Sequence, residues 1–90
     1  MRVVYSQAFL NAYQDLPADV QKRIDKALRL LASREGPQPF HPSLRAKRIQ
    51  GTTDIWEASA TLKYRITFQM HESVIYLRVV GDHDPTLKNP

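Results

Sequence analysis

The chain of 90 residues is 42% hydrophobic and 24% charged, a balance that excludes a disordered protein and predicts one domain, residues 1–90, with a modest core. It contains no cysteine, which excludes a disulfide framework and a thiolate zinc site. Thirteen lysines and arginines against nine acidic residues give a net charge of +4, which favours an anionic partner such as nucleic acid, a ribosome or an acidic protein, unless it serves solubility alone. No apolar run approaches the length that crosses a membrane, and the opening MRVVYSQAF lacks the apolar core of a signal peptide, so we expect a cytoplasmic protein.

The first third of the chain predicts a short strand and two helices. The β-prone run RVVY (Arg2–Tyr5) is followed by Ser6, a residue type that commonly caps helices. Apolar residues at helical spacing then predict a short amphipathic helix, at Phe9, Ala12, Tyr13 and Leu16. Pro17 suits the first turn of a second helix, and Gly36 follows its end. The apolar stripe of the second helix consists of Val20, Ile24, Ala27, Leu28 and Leu31.

The rest of the chain predicts β-strands joined by short links. A proline-rich loop spans residues 36–43, and the basic run LRAKRIQG (Leu44–Gly51) favours a curved strand. Three further β-prone runs follow, at Ile55–Ala60, Lys63–Gln69 and Val74–Val80. The predicted fold is therefore α+β, in the order β-α-α-β-β-β-β, with an antiparallel helix hairpin on one face of a mainly antiparallel sheet.

Side-chain alternation in these strands predicts a basic face on the side of the sheet that the helices leave open. The face toward the helices would carry Trp56, Ile66, Phe68, Leu77 and Val79. The open face would carry Glu57, Arg65, Tyr76 and Arg78, with Arg45, Lys47 and Arg48 at its rim. Guanidinium groups match phosphate oxygens, so this set indicates phosphate binding. The alternative is that Arg65 or Arg78 pairs with Glu57 across the strands, which requires no ligand.

The order and spacing of these segments resemble those of the RelE/ParE superfamily of bacterial toxins. The similarity is carried by LPADVQKRIDKALRLL, HPSLRAKRIQG, IWEAS, KYRITF and VVGDHD, and it covers essentially the whole chain. The resemblance implies that the protein is the toxin of a type II toxin–antitoxin pair. A cognate antitoxin would neutralise it, and the toxin–antitoxin complex could bind operator DNA through the antitoxin. The RelE-like branch, which we favour, implies a metal-independent endoribonuclease without a cofactor that cleaves ribosome-bound mRNA and inhibits translation. The ParE-like branch implies an inhibitor of DNA gyrase without nuclease activity.

The resemblance also assigns candidate site residues. The family's strand arginine falls on Arg65 in the Tyr-Arg-Ile context, and the histidine that follows the last strand falls on His83. A histidine that one nuclease subgroup carries before the basic strand is matched best by His41. We therefore expect a catalytic set and a phosphate-binding set. The catalytic set is His83, Arg65 and Lys47, and the phosphate-binding set is Arg45, Arg48 and Arg78.

Metal-free RNA cleavage requires a general base, positive charge at the reacting phosphate and a general acid. Arg65, Arg78 and Lys47 supply fixed positive charge, and His83 is the candidate general acid. Without the resemblance, His83 after Gly81 is more typical of a residue that caps a turn. The candidates for the general base are Glu57, His41 and a deprotonated Lys47.

The chain departs from some family members beyond the last strand. The position at which others carry an aromatic residue is here Leu87, so a base-stacking ring must come from elsewhere, with Tyr76 and Phe40 as candidates. We expect alanine at His83 or Arg65 to abolish toxicity and to leave the fold intact.

Overall fold

The computed structural model describes residues 1–90, and five strands form one mixed sheet in the order β1-β5-β4-β3-β2. Strand β1 runs parallel to β5, and the other neighbours are antiparallel. The strands are β1 (Arg2–Tyr5), β2 (Lys47–Arg48), β3 (Trp56–Ser59), β4 (Tyr64–His71) and β5 (Val74–Asp82). The helices are α1 (Gln7–Gln14), α2 (Ala18–Ala32) and α3 (His83–Lys88), with a short 3-10 helix at Pro42–Leu44. This architecture confirms the predicted fold class and adds α3 to it.

Helices α1 and α2 pack on one face of the sheet because their apolar stripes match the apolar face of the strands. Ser6 begins α1 as predicted, since its Oγ accepts a hydrogen bond from the N–H of Phe9 at 3.0 Å. The core contains side chains from both helices and from three strands, and it consists of Phe9, Val20, Ile24, Ala27, Leu31, Leu44, Ala58, Ile66, Phe68, Ile75, Leu77 and Val80. The opposite face, which α1 and α2 do not cover, is called the open face below.

A β-bulge interrupts the alternation of β5. Thr67 of β4 pairs with Val79, whereas the next residue of β4 pairs with Leu77, so Arg78 is an extra residue on β5. The bulge turns Val79 toward the open face beside Thr67, and Val80 enters the core with 4% exposure. The prediction that Val79 lies on the helix face was wrong because strict alternation does not survive an inserted residue.

Residues 83–90, called the C-terminal segment below, fold back over the open face. Thr86 of α3 is buried, and a Cβ atom at residue 81 would lie 2.9 Å from its Oγ1, so Gly81 permits the close approach of α3. Beyond α3, the carbonyl oxygen of Pro90 accepts a hydrogen bond from Thr67 Oγ1 at 3.1 Å. The open face is therefore partly covered by the end of the described chain.

The predicted basic strand is shorter than expected. Only Lys47 and Arg48 pair as a strand, and Leu44 lies instead in the 3-10 helix, where its side chain belongs to the core. The preceding loop is anchored by Phe40, whose ring centroid lies 5.5 Å from that of Trp56. None of the three helices combines the length and the apolar character needed to cross a membrane.

Candidate active site on the open face

A buried carboxylate and two cations meet on the open face of β2, β3 and β4. Glu57 is 6% exposed, and its Oε1 lies 4.0 Å from Nζ of Lys47 and 3.8 Å from Nε of Arg65. Lys47 faces solvent, whereas Arg65 is buried. These three residues are called the Lys47–Glu57–Arg65 cluster below. The cluster places fixed positive charge next to a carboxylate that can accept a proton.

Arg65 is also part of the framework of the fold. Its Nη1 donates hydrogen bonds to the carbonyl oxygens of Thr61 at 2.6 Å and Leu62 at 3.0 Å. Its Nε is buried and has no hydrogen-bond acceptor. The ion pair at 3.8 Å between Arg65 Nε and Glu57 Oε1 is the cross-strand pairing that the sequence allowed as an alternative. The structure argues against the expectation that alanine at Arg65 leaves the fold intact, because that change leaves the buried Glu57 carboxylate with only the exposed Lys47 as a partner.

Arg78 lies on the open face as predicted, but its guanidinium binds other groups than Glu57. Its Nη1 donates to Oε1 of Gln69 at 2.9 Å, and its Nε donates to the carbonyl oxygen of Pro90 at 2.9 Å. Thr67 donates to the same carbonyl oxygen. Two donors thus converge on one oxygen atom of the C-terminal segment.

Arg48 does not join the basic residues of the open face. It lies opposite Trp56 in the sheet register, its guanidinium carbon is 5.3 Å from the Trp56 ring centroid, and its Nη1 is 3.1 Å from Oδ1 of Asp54. Trp56 packs on the helix side, so the expectation that all the basic residues share one face is wrong for Arg48.

Arg45 is exposed at the end of the 3-10 helix with φ at 48°, and its guanidinium forms no hydrogen bond or ion pair. It lies next to the β2 edge of the sheet.

His83 lies at the rim of the open face, where it begins α3. Its N–H donates to the carbonyl oxygen of Lys63 at 2.8 Å, and its side chain is 47% exposed. Gly81, two residues earlier, is the register partner of Arg65, so His83 lies beyond the Lys47–Glu57–Arg65 cluster and forms no hydrogen bond or ion pair with it. Its Nδ1 is 2.9 Å from Oδ1 of Asp84. Because the carboxylate accepts from Nδ1–H, Nε2 points to the other side of the ring and remains available.

The other predicted histidine serves the loop. His41 Nδ1 accepts a hydrogen bond from the N–H of Ser43 at 3.2 Å and so caps the 3-10 helix. Its neighbour Phe40 packs against Trp56 and beneath Arg34, whose guanidinium carbon is 4.2 Å from the Phe40 ring centroid. Of the three candidate bases, the structure therefore brings Glu57 and Lys47 together and leaves His41 in the loop.

Three polar groups of the open face were not singled out from the sequence: Thr67, Gln69 and the carbonyl of Pro90. Thr67 and Gln69 alternate with Arg65 along β4, and that spacing is the signal by which they could have been found. The position of Pro90 had no such signal, because it depends on how α3 turns the chain back over the sheet.

The two candidates for a base-stacking ring lie on different faces of the sheet. Tyr76 is 40% exposed on β5, whereas Phe40 packs toward the helices.

Comparison with solved structures gives similar folds over almost the whole chain, whereas no protein-family model and no curated protein sequence matches it. YafQ from E. coli strain BL21(DE3) superposes with a TM-score of 0.72 at 14% identity, covering 96% of this chain and 98% of that one. A YoeB/ParE toxin from Agrobacterium tumefaciens gives 0.73 at 19% identity, covering 92% and 99%. The E. coli RelBE toxin–antitoxin complex gives 0.69 at 16% identity, covering 92% and 96%. The chain therefore has the fold of the RelE-, YoeB- and YafQ-type toxins of toxin–antitoxin systems.

Proposed function

We propose that the protein is the toxin of a toxin–antitoxin pair and that it cleaves ribosome-bound mRNA without a metal ion, acting in the cytoplasm. The observation that carries this proposal is the Lys47–Glu57–Arg65 cluster, a buried carboxylate between two cations on a sheet face that the helix hairpin leaves open. The fold shared with toxins supports the biological role, and the chemistry of the cluster supports the reaction.

Glu57 is the general base in this proposal. Its carboxylate takes the proton of the RNA 2′-hydroxyl, and the 2′-oxygen then forms a bond to the neighbouring phosphorus. Lys47 and Arg65 stabilise the extra negative charge on the phosphorane oxygens because both cations already lie about one contact distance from the base.

His83 is the general acid in this proposal. As the P–O5′ bond breaks, the leaving 5′-oxygen takes a proton from Nε2 of the protonated imidazole. Asp84 holds the opposite ring nitrogen and so orients the ring. The products are a 2′,3′-cyclic phosphate and a 5′-hydroxyl. No hydrogen bond or ion pair joins His83 to the Lys47–Glu57–Arg65 cluster, and in this proposal the reacting phosphate lies between them.

The remaining basic residues bind the RNA backbone in this proposal. Arg78 contributes from the open face, Arg45 from the β2 edge, and Arg48 from the adjoining Trp56 side, where it reaches a strand that wraps around that edge. A cognate antitoxin would neutralise the toxin by covering the same basic face with an acidic segment. This partner is supported by the toxin–antitoxin complexes among the similar folds, including RelBE from E. coli and the YoeB–YefM complex from Staphylococcus aureus.

Induced expression of wild-type protein, His83→Gln and the control Arg23→Gln tests the proposal. His83 is exposed, so its substitution spares the fold, and Arg23 is an exposed arginine of α2, a helix that packs on the other face of the sheet. We expect wild type and Arg23→Gln to arrest translation with cleaved mRNA, and His83→Gln to lose that effect. Gyrase-dependent DNA breaks with intact mRNA, unaffected by His83→Gln, would instead support the gyrase inhibitor of the ParE-like branch.

A further inference from the structure

A second polar site lies on the open face away from the Lys47–Glu57–Arg65 cluster, around Arg78. It is a cavity of ≈ 370 Å³ where β1 ends beside β5, a size in the usual range for small-ligand sites. Its apolar wall includes Val4, Tyr76 and Val79, and its polar wall includes Gln69 and Arg78. Pro90 of the C-terminal segment lies in the same cavity.

Arg78 and Thr67 form a cradle for an acceptor oxygen. In the folded chain the carbonyl oxygen of Pro90 occupies the cradle, at 2.9 Å from Nε of Arg78 and 3.1 Å from Oγ1 of Thr67. Thr67 is completely buried, and Gln69 holds the guanidinium of Arg78 from the other side at 2.9 Å. Both donors are thus fixed by packing before any ligand arrives. A guanidinium has five N–H donors, and the contacts of Arg78 use two of them, so the others remain available to an anion.

Tyr76 supplies an exposed aromatic surface next to this cradle. It lies two residues before Arg78 on β5, on the same face, and its register partners are Val4 and Gln69. The Tyr76 side chain is 40% exposed although β5 is an inner strand of the sheet, with β1 on one side and β4 on the other. An exposed ring beside a fixed arginine provides both a stacking surface and an anion-binding group.

We propose that this cavity is a nucleotide subsite in which a phosphate oxygen replaces the Pro90 carbonyl in the Arg78–Thr67 cradle and a nucleobase stacks on Tyr76. The proposal rests on the proposed function for the ligand class, single-stranded RNA. Gln69 is four residues from Arg65 along β4, or about 13 Å, so the subsite holds a nucleotide that flanks the cleaved phosphate. Entry of the nucleotide requires the end of the C-terminal segment to leave the cradle.

RNA fits this site better than an acidic peptide does. A carboxylate can bind Arg78, but it leaves the exposed ring of Tyr76 without a partner of matching shape. A nucleotide uses both features at once, because every base has a flat π-face and every phosphate is an anion. The net charge of +4 favours either anion equally, so the ring is the feature that distinguishes them.

Fluorescence anisotropy with a labelled 2′-O-methyl tetranucleotide tests the subsite, because that probe lacks the 2′-hydroxyl and is not cleaved. We expect Tyr76→Ala to weaken binding about 5- to 150-fold, the range for loss of one stacked base, and Tyr76→Phe to bind as wild type because it keeps the ring. Arg78→Gln should weaken binding about tenfold or more. Arg23→Gln, which removes the same charge from α2, should leave the affinity unchanged.

The subsite is overturned if the wild-type protein fails to bind the probe, if Tyr76→Ala binds as tightly as wild type, or if Tyr76→Phe loses as much affinity as Tyr76→Ala. It is also overturned if an acidic peptide, and not the probe, binds in a manner that depends on Tyr76. A parallel mRNA cleavage assay separates the two proposals. Tyr76-dependent binding without cleavage rejects the nuclease alone, and cleavage with Tyr76-independent binding rejects the subsite alone.

Discussion

At the scale of single residues, Arg65 combines a structural function with the chemical function proposed above. It supports the turn before β4 through two carbonyl oxygens and compensates the buried charge of Glu57. A substitution at this position therefore changes stability and activity together, and loss of activity alone does not identify its chemical function. His83 differs because its side chain is exposed and forms a hydrogen bond only with Asp84. It is the cleaner position at which to test the reaction.

The ion pair between Glu57 and Arg65 is expected to be strongly coupled. Arg65→Ala should lower the free energy of unfolding by about 3 kcal/mol, because it leaves the buried Glu57 carboxylate with only the exposed ammonium of Lys47 as a partner. The double variant with Glu57→Ala should lose less than the sum of the two single variants, by about 1–3 kcal/mol. Urea unfolding of all four proteins measures this coupling.

A matched control for this cycle is the exposed pair of Arg48 and Asp54, whose side chains are 66% and 64% exposed. Its coupling should stay below about 1 kcal/mol because solvent screens it. Equal coupling in the two pairs would show that burial of the Glu57–Arg65 pair has no energetic consequence.

Tyr13 provides a residue-scale test at high pH. The hydrogen bond that Tyr13 Oη donates to Asp25 Oδ1, at 2.6 Å, raises the pKa of Tyr13 above its ordinary value of 10.0, and desolvation and the Asp25 charge act in the same direction. A raised folded-state pKa means that the stabilisation is complete below the unfolded pKa and is lost as the pH rises through the folded one. Tyr13→Phe should therefore cost about 0.5–1 kcal/mol at about pH 7 and less at about pH 11, by urea unfolding. A cost that is the same at both pH values would contradict this assignment.

At the scale of elements, alternation predicted the faces of β4 and β5 as far as Arg78. It failed at Val79 because the bulge inserts an extra residue into β5, and the adjacent Val79 and Val80 are equally apolar, so their pattern does not reveal which one enters the core. Helix α3 was missed, although Asp82 before it and Pro85 in its first turn are residue types that often begin helices. The C-terminal segment covers part of the open face because α3 turns the chain back, and strand patterns alone do not predict that turn.

Docking of α3 depends on the missing side chain at Gly81. Gly81→Ala should loosen α3, because the new Cβ meets Thr86 Oγ1 at 2.9 Å. We expect faster amide hydrogen exchange in residues 86–89 with little change in the sheet, and restoration of protection when Thr86→Ala is added. Unchanged exchange in Gly81→Ala would show that α3 does not rely on this contact.

At the scale of the whole molecule, a net charge of +4 and a basic open face predict salt-dependent RNA binding. For single strands, each phosphate contact contributes about −0.7 to the slope of log affinity against log salt concentration. Arg78→Gln should reduce that slope by about 0.7, and Arg23→Gln should not change it. Equal slopes for wild type and Arg78→Gln would show that Arg78 does not contact an RNA phosphate.

The fold and the cluster on the open face together support the proposed reaction, in which the RNA 2′-oxygen attacks the phosphate with Glu57 as general base and His83 as general acid. The chemistry of the RNA ends tests this claim most directly. Incubation of purified protein with programmed ribosomes should yield 2′,3′-cyclic phosphate and 5′-hydroxyl ends, and Glu57→Gln or His83→Gln should slow their formation by about 10²–10⁴-fold, with melting curves confirming that both variants are folded. Products with 5′-phosphate ends, or folded variants that cleave at the wild-type rate, would contradict the account.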